Sequence, residues 1–231
     1  MPEQNPDEKI IISLGGSLIV PEEIDIEFLK DFRNLILSQI EKGKKFVIIT
    51  GGGKICRKYN EAALGIRDLT SEELDWLGIH ATKFNAEFVR TLFGDLAYDH
   101  ILVDPNIPVK FDKPIVVGGG WKPGNSSDLV AVLVAKHAGA TRMINLSNTD
   151  YVYDKDPKQN PDAKKLEKVS WAEYRELIPK EWNPGLNTPF DPIASKLAEK
   201  EGLTLITMNG KPIDNLKNCL EGGEFVGTTI Y

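Results

Sequence analysis

Three clusters of glycines in this 231-residue chain each stand directly after a short run of apolar, β-forming residues. The clusters are Gly15-Gly16, Gly51–Gly53 and Gly118–Gly120. Glycine lets the backbone adopt left-handed conformations and approach a ligand closely, and a helix that starts after it offers free N–H groups to an anion. The chemistry favoured by the three clusters together is phosphate binding, whereas each cluster alone also fits a plain strand-to-helix turn.

The standard phosphate-binding motifs are absent from these clusters. Gly53-Lys54 is not followed by the Ser or Thr that a Walker A loop requires. In the Gly-x-Gly-x-x-Gly spacing of dinucleotide-binding proteins, Cys56 and Pro123 occupy the places of the third glycine. A phosphate bound here must therefore be held in another way.

Apolar strand-like runs alternate with stretches of helical period, which predicts a mainly parallel sheet covered by helices. The predicted strands are Ile10–Leu14, Lys44–Thr50, Ile101–Val103, Pro114–Val117, Arg142–Ser147, Thr204–Met208 and Thr228–Tyr231. After a first helix around Phe32, the predicted helices are Lys54–Leu64, Glu72–Leu92, Ser127–Ala138, Trp171–Leu177, Ile193–Glu201 and Asp214–Leu220. Ligands of open α/β sheets bind beyond the carboxyl ends of the strands, so we expect the glycine clusters to meet at one site.

Composition excludes several classes of protein. The chain has 28 Lys and Arg against 34 Asp and Glu, a net charge of −6, and no long basic run, which argues against nucleic-acid binding. It has no apolar run near the ~18 residues of a membrane span and no signal-peptide pattern. Cys56 and Cys219 lack metal-site or redox-pair spacing, as do the three histidines. We expect a cytoplasmic protein whose partners are small molecules.

Several phrases, taken in order, resemble the amino-acid kinase family. They are Leu14-Gly15-Gly16-Ser17, Gly51–Lys54 with Arg57, Pro123–Asp128, and Asn148-Thr149-Asp150 with Tyr153 and Asp156-Pro157. Within that family, Leu74–Ile79 with Ala81-Thr82 and Asn85-Ala86 is similar to a helix of the uridylate kinases, especially the archaeal type. Asp191–Lys196 and Gly227–Ile230 also fit, so the resemblance covers about residues 9–231.

The resemblance implies an α/β fold, a three-layer αβα sandwich around a mainly parallel sheet of about eight strands. It implies a single domain over residues 9–231 after a flexible N-terminus (1–8), with an acceptor-side lobe of about 1–140 and an ATP-side lobe of about 141–231. The implied reaction transfers the γ-phosphoryl group of ATP to UMP, giving UDP and ADP, with Mg²⁺ carried by the ATP. A homo-oligomer is also implied, since relatives form hexamers.

The family's functional residues carry over to matching positions in this chain. The ATP-binding residues implied are Gly16, Ser17, Gly53, Arg57, Ser147, Asn148, Tyr153 and Asp156. The UMP-binding residues implied are Gly52, Asp75, Trp121, Lys122, Pro123, Gly124, Asn125, Ser126 and Ser127. Asp128 is implied as the catalytic organiser, with Arg57 and Lys196 as catalytic cations and no dedicated metal ligand. Because the acceptor is already a phosphate anion, no general base is required.

Some positions depart from the family pattern. Ser13 stands where many relatives carry a lysine, although archaeal-type uridylate kinases also lack it. Asn125 replaces a usual His, Ser147 a usual Thr and Tyr151 a usual Gly. If the position of Tyr151 needs a positive φ, a tyrosine there is strained. We interpret Trp171–Pro189, rich in Trp and Pro, as an extra contact surface or a lid.

Two other functions stay open from the sequence. One is a related kinase with another acceptor, such as an amino-acid carboxylate or isopentenyl phosphate. The other is a nucleotide-binding protein without turnover, which Ser13 and Tyr151 would favour. Asp75 together with Pro123–Ser127 favours UMP as the acceptor. Retention of Arg57, Asp128 and Lys196 favours an enzyme.

Overall fold

The computed structural model describes residues 8–181 and 188–231, so residues 1–7 of the expected flexible N-terminus lie outside it. The strands are β1 (Lys9–Leu14), β2 (Lys45–Thr50), β3 (Ile115–Gly118), β4 (Arg142–Ser147), β5 (Val152–Tyr153), β6 (Lys165–Leu166), β7 (Lys168–Val169), β8 (Thr204–Asn209) and β9 (Thr228–Ile230). The helices are α1 (Gly16–Ile19), α2 (Ile26–Ile40), α3 (Gly53–Leu64), α4 (Ser71–Phe93), α5 (Ser127–Ala138), α6 (Trp171–Glu176), α7 (Pro192–Lys200) and α8 (Ile213–Leu220).

The central sheet of the described chain has seven strands in the order β3-β2-β1-β4-β8-β9-β7. All neighbouring pairs are parallel except β8 and β9. The predicted strand Ile101–Val103 makes only an isolated parallel bridge, between Leu102 and Gly118. Pro105, which lacks a backbone donor, soon follows it and limits longer pairing.

Helices cover both faces of the sheet, as the resemblance implies. The inner strands are apolar at nearly every position because alternate residues enter opposite cores: Ile10 and Ile12 join one core, and Ile11 joins the other. The first core is closed by α2, α4 and α8, and the second by α5, α6 and α7. The three-layer arrangement is therefore confirmed. Among the described helices, none has the length and apolar character to cross a membrane.

The first part of the Trp171–Pro189 segment belongs to the core rather than to a lid. Trp171 is buried and its indole Nε1 donates to the Leu203 carbonyl at 2.9 Å, while the Tyr174 hydroxyl donates to the Phe190 carbonyl at 2.8 Å. Aromatic side chains with a polar tip are well suited to such sites, since the tip finds a partner as the ring is buried. Residues 182–187 of the segment lie outside the described chain.

Candidate active site

The three glycine turns meet at one edge of the sheet, since β3, β2 and β1 are adjacent and parallel. The first two turns are in direct backbone contact. A methyl group added to Gly16 would lie 2.1 Å from the Gly53 nitrogen, and Gly53 has a φ of +64°. No other residue type fits this contact, which explains the repeated glycines and leaves backbone N–H groups at the starts of α1 and α3 close together.

Two buried polar side chains of α4 fasten these turns. The Asn85 amide Nδ2 donates to the Gly51 carbonyl at 2.8 Å, and the Gly120 N–H donates to the Thr82 hydroxyl at 2.6 Å. The Thr50 hydroxyl donates to the Thr82 carbonyl at 2.8 Å. In the sequence, Thr82 and Asn85 stand out only as part of the resemblance. The structure shows that they position the glycine turns.

The predicted acceptor-side residues are brought together from distant parts of the chain. The Gly124 N–H donates to the Asp75 carboxylate Oδ2 at 2.6 Å, joining α4 to the loop before α5. Burial raises the pKa of Asp75, and the hydrogen bond from Gly124 partly offsets this. Gly52 lies at the N-terminus of α3, where an added methyl group would lie 2.8 Å from Cβ of Cys56.

The loop Trp121–Ser127 has a defined conformation of its own. The Lys122 ammonium lies 3.9 Å from the centroid of the Trp121 ring, and the Asn125 amide donates to the Pro123 carbonyl at 3.1 Å. Ser126 caps α5, its hydroxyl accepting the Leu129 N–H at 3.1 Å. Ser127 is therefore the first residue of α5, as the sequence predicts.

Asp128 lies in the first turn of α5 and is held from two sides. Its Oδ1 accepts the Ser13 hydroxyl at 3.3 Å, and its Oδ2 accepts the Asp191 backbone N–H at 3.1 Å. Burial, together with the nearby Asp191 carboxylate, raises the pKa of Asp128 to about 7. Ser13 replaces the family's lysine with a neutral donor, which stabilises the ionised carboxylate far less than a cation would.

Asp191 also lies at this site, although the sequence pointed to it only as part of the resemblance and not as a binding or catalytic residue. It is buried, and its carboxylate caps α7 by accepting the Ala194 N–H at 2.6 Å. Burial raises the pKa of Asp191 as well, although hydrogen bonds from Ala194 and the Ser126 hydroxyl oppose this. Two carboxylates thus share one buried corner beside the start of α5. In the sequence, Asp191-Pro192 indicates only a helix start.

A polar cleft of about 560 Å³ is lined by residues that follow the first two glycine turns. It contains three of the predicted ATP-binding residues: Ser17, Arg57 and Asn148. Lys54 and Lys211 also line it, so three cations face the same cleft. A cleft of this size, with this charge and with helix N-termini beside it, is suited to a polyphosphate group.

Comparison with known proteins shows which family the chain belongs to. The model described as "Amino acid kinase family" matches residues 8–209. The chain belongs to the amino-acid kinase family. It is 32% identical over 227 residues to a uridylate kinase of Thermococcus kodakarensis. That alignment covers 96% of this chain and 99% of the relative.

Two further relatives match nearly the whole chain. A uridylate kinase of Methanospirillum hungatei is 34% identical over 226 residues, covering 96% of this chain and 94% of the relative. The crystal structure of uridylate kinase from Archaeoglobus fulgidus superposes with a TM-score of 0.81 at 30% identity, covering 96% of this chain and 100% of the other. The predicted fold and family are confirmed.

The remaining predicted ATP-side residues lie at the end of β4 and in the segment that follows it. The Ser147 hydroxyl accepts the Thr149 N–H at 3.2 Å, and Tyr153 lies in β5. Asp156 organises its own turn, accepting the Lys158 N–H at 2.9 Å. These positions flank Asn148, which lines the cleft, and a nucleoside-binding role for them stays a prediction.

Lys196 is not among the residues that line the polar cleft. It is on the exposed side of α7 and lines a small pocket with Arg175 and Lys180, apart from the residues that line the cleft. Its catalytic role stays a prediction. Lys211 does line the cleft. It was not among the predicted site residues because Asn209-Gly210-Lys211-Pro212 is typical of an ordinary turn.

Tyr151 does not have the strained conformation that the sequence suggested. Every residue with a positive φ in the described chain is a glycine. The Tyr151 ring packs edge-on against Tyr153, with centroids 6.4 Å apart, and the Lys165 ammonium lies 4.8 Å from its centroid. A side chain is thus accommodated where the family has glycine, and this argument against activity loses its basis.

Asp128 is chemically suited to a Mg²⁺ ion that arrives with a nucleotide. Magnesium in kinases is held by one or two carboxylates together with phosphate oxygens. A cation beside Asp128 would counter the burial and the repulsion from Asp191 that raise its pKa. Within residues 8–181 and 188–231, no cluster of three or more His, Cys, Asp or Glu is placed to hold a metal by itself.

Proposed function

We propose that this protein transfers the γ-phosphoryl group of ATP to UMP, giving ADP and UDP. The observation that supports the proposal is the Asp75–Gly124 hydrogen bond of 2.6 Å, which joins two of the predicted acceptor-side residues. Ser17, Arg57 and Asn148 line the polar cleft, which would hold ATP. Two substrates could thus approach each other near the glycine turns at Gly16 and Gly53.

The chemistry needs positioning and charge neutralisation more than it needs covalent help. The bond between the γ-phosphorus and the bridging oxygen of ATP breaks as an oxygen of the UMP phosphate forms a new bond to the same phosphorus. That acceptor oxygen carries no proton at neutral pH, so the chain need not supply a base. Mg²⁺, when bound with the nucleotide, supplies charge neutralisation of the phosphates.

Each proposed residue has a role that follows from its place. Backbone N–H groups of Gly16, Ser17 and Gly53 would donate to phosphate oxygens, and the Arg57 guanidinium would contact them with its planar donors. The Asp75 carboxylate would accept the ribose hydroxyls of UMP. Asp128, ionised, would order the cations around the transferred group, aided by the Ser13 hydroxyl.

We also propose that the protein is a homo-oligomer. The described residues of α3 are all at least partly exposed, and Tyr59 (60% exposed), Ile66 (86%) and Phe84 of α4 (70%) are large apolar side chains at the surface. An apolar groove lined by Ala63, Leu77 and Trp76 adjoins them. Burying such a surface against a second copy would be favourable, and light scattering on wild type and Ile66→Asp would test it.

We further propose a cytoplasmic location, which the free thiols of Cys56 and Cys219 support. Such thiols persist in reducing compartments, where the nucleotide substrates are also made.

The proposed reaction is tested by coupling ADP formation to a visible signal with ATP, Mg²⁺ and a panel of acceptors. The panel contains UMP, CMP, dTMP, N-acetylglutamate, aspartate and isopentenyl phosphate. Turnover with UMP well above the other acceptors is the expected result. Equal or greater turnover with a carboxylate or isopentenyl phosphate would assign another acceptor, and no turnover with detectable ATP binding would contradict catalysis.

A further inference from the structure

An acidic segment, Pro21–Asp25, connects α1 to α2 beside the polar cleft. It forms an ion pair with each of two lysines that line the cleft: Glu22 pairs with Lys54 and Asp25 pairs with Lys211. The side-chain hydrogen bond from Lys54 lowers the pKa of Glu22, and that from Lys211 lowers the pKa of Asp25, so both carboxylates are ionised at neutral pH. Two cations of the cleft are thus neutralised by the chain itself.

Lys211 is held at its backbone as well as through its ammonium group, which pairs with Asp25 and lies 5.9 Å from the centroid of the Phe28 ring. Its N–H donates to Oδ1 of Asn209 at 3.0 Å, and the Gly210 N–H donates to the Ser147 carbonyl at 2.9 Å. The Asn209 amide in turn donates to the Asp150 carboxylate at 2.9 Å. The base of the side chain is therefore fixed to the end of β4, next to Asn148, while the rest of it can reorient.

The Asp25 carboxylate likewise does not depend on Lys211 for its position. Its Oδ1 caps α2 by accepting the Phe28 N–H at 3.0 Å, so the helix N-terminus stabilises the charge. The side chain of Lys211 is 48% exposed, and ion pairs this exposed contribute little to stability. The pair can therefore open at small cost when a stronger anion enters the cleft.

We propose that Lys211 is a further phosphate-binding residue of the donor site, and that Asp25 is the counter-ion from which it is released when a nucleoside triphosphate binds. This rests on the proposed function only in taking ATP as the donor. The Lys211 ammonium would contact the β- or γ-phosphate beside Arg57, and Asp25 would keep its cap on α2. Asp25 would thereby set the affinity of the cleft for polyphosphates.

The test compares ATP with AMP, because only ATP carries the phosphates that Lys211 would contact. Affinities are measured by titration calorimetry for wild type, Lys211→Ala, Lys217→Ala and Asp25→Asn. Lys217 is an exposed lysine on the neighbouring helix α8 and is not part of the cleft lining, which makes it a matched control. Asparagine caps helices as well as aspartate does, so Asp25→Asn removes the charge and retains the cap.

We expect Lys211→Ala to weaken ATP binding by about tenfold or more, the effect of losing one charge-assisted contact, with AMP binding within about twofold of wild type. Asp25→Asn should tighten ATP binding about two- to threefold, because its competing charge is gone. Lys217→Ala should change neither affinity. Unchanged ATP binding by Lys211→Ala, or equal loss for ATP and AMP, would overturn the proposal.

These outcomes are distinguishable from failure of the proposed function. If the wild type binds ATP but does not phosphorylate UMP, the reaction is wrong, and the ATP-to-AMP comparison still decides the role of Lys211. If the wild type binds no ATP, both proposals are overturned.

Discussion

The Asp191 backbone N–H donates to Oδ2 of the Asp128 carboxylate at 3.1 Å, which ties the start of α7 to the start of α5. Two acidic side chains therefore lie in one buried corner, and the pKa of Asp128 is raised to about 7 by burial and by the charge of Asp191. Ionising a carboxyl group in this environment costs free energy unless a cation binds beside it. Magnesium nucleotide is the cation source that the proposed reaction provides.

Asp128→Asn is predicted to lower kcat with ATP and UMP by at least about 100-fold, because an amide cannot order cations around the transferred phosphoryl group. The measurement is the steady-state rate of ADP formation. Asp95→Asn, at an exposed acidic residue outside the site, is the control and should retain full activity. Undiminished activity of Asp128→Asn would remove Asp128 from the mechanism.

The same substitution is predicted to change how stability depends on pH. A carboxyl whose pKa is raised in the folded state from its ordinary value near 4 contributes stability that is complete below about pH 4 and lost as the pH rises through about 7. The wild type should lose this contribution between those values. Asp128→Asn should lack that loss and be the more stable protein at pH 8 in denaturant unfolding. Parallel stability profiles would contradict the raised pKa.

Ser13→Ala is predicted to shift the pH dependence of kcat/KM for ATP. The Ser13 hydroxyl donates to Asp128 at 3.3 Å and favours the ionised carboxylate, so its loss raises the pKa of Asp128 further. The acidic limb of the profile, which reports on the free enzyme, should move to higher pH while the activity at high pH approaches that of wild type. A uniform loss of activity at every pH would indicate a packing defect instead.

Asp75→Asn is predicted to raise KM for UMP by about tenfold, the effect of replacing a charged acceptor by a neutral one, while KM for ATP stays unchanged. The amide oxygen can still accept the Gly124 N–H, so the loop keeps its anchor. Glu72→Gln, in the first turn of the same helix, is the matched control. Equal increases in both KM values would place Asp75 outside UMP recognition.

Gly16→Ala is predicted to destabilise the protein by about 2 kcal/mol or more and to abolish ATP binding, because the new methyl group would lie 2.1 Å from the Gly53 nitrogen. Gly65→Ala is the control, since a methyl group there meets nothing closer than 3.4 Å. Thermal unfolding and ATP titration give the two readouts. A Gly16→Ala protein with wild-type stability would show that the two turns can separate freely.

Local sequence signals were sufficient to predict many of the strands and helices. Strand β4 and helix α5 have the bounds that the sequence predicts, because a continuous apolar run identifies a buried strand and Ser126 is a strong helix cap. The convergence of the glycine turns also followed, since parallel strands place their carboxyl ends at one edge.

Contacts between distant segments could not be predicted in this way. Asp191 signals a helix start, and only the packing of α7 against α5 brings it to Asp128. Lys211 occupies an ordinary turn, and its place in the cleft depends on the pairing of β8 with β4. The condition under which Tyr151 would be strained, a positive φ, is not met, because the backbone does not adopt it there.

The most direct test of the proposed reaction follows the phosphoryl group itself. The protein is incubated with ATP labelled at the γ-phosphate, Mg²⁺ and UMP, and the labelled products are separated by chromatography. We predict that the label appears in UDP in equal amount to the ADP formed. Label in inorganic phosphate, or label that stays in ATP while the protein binds both nucleotides, would contradict transfer to UMP.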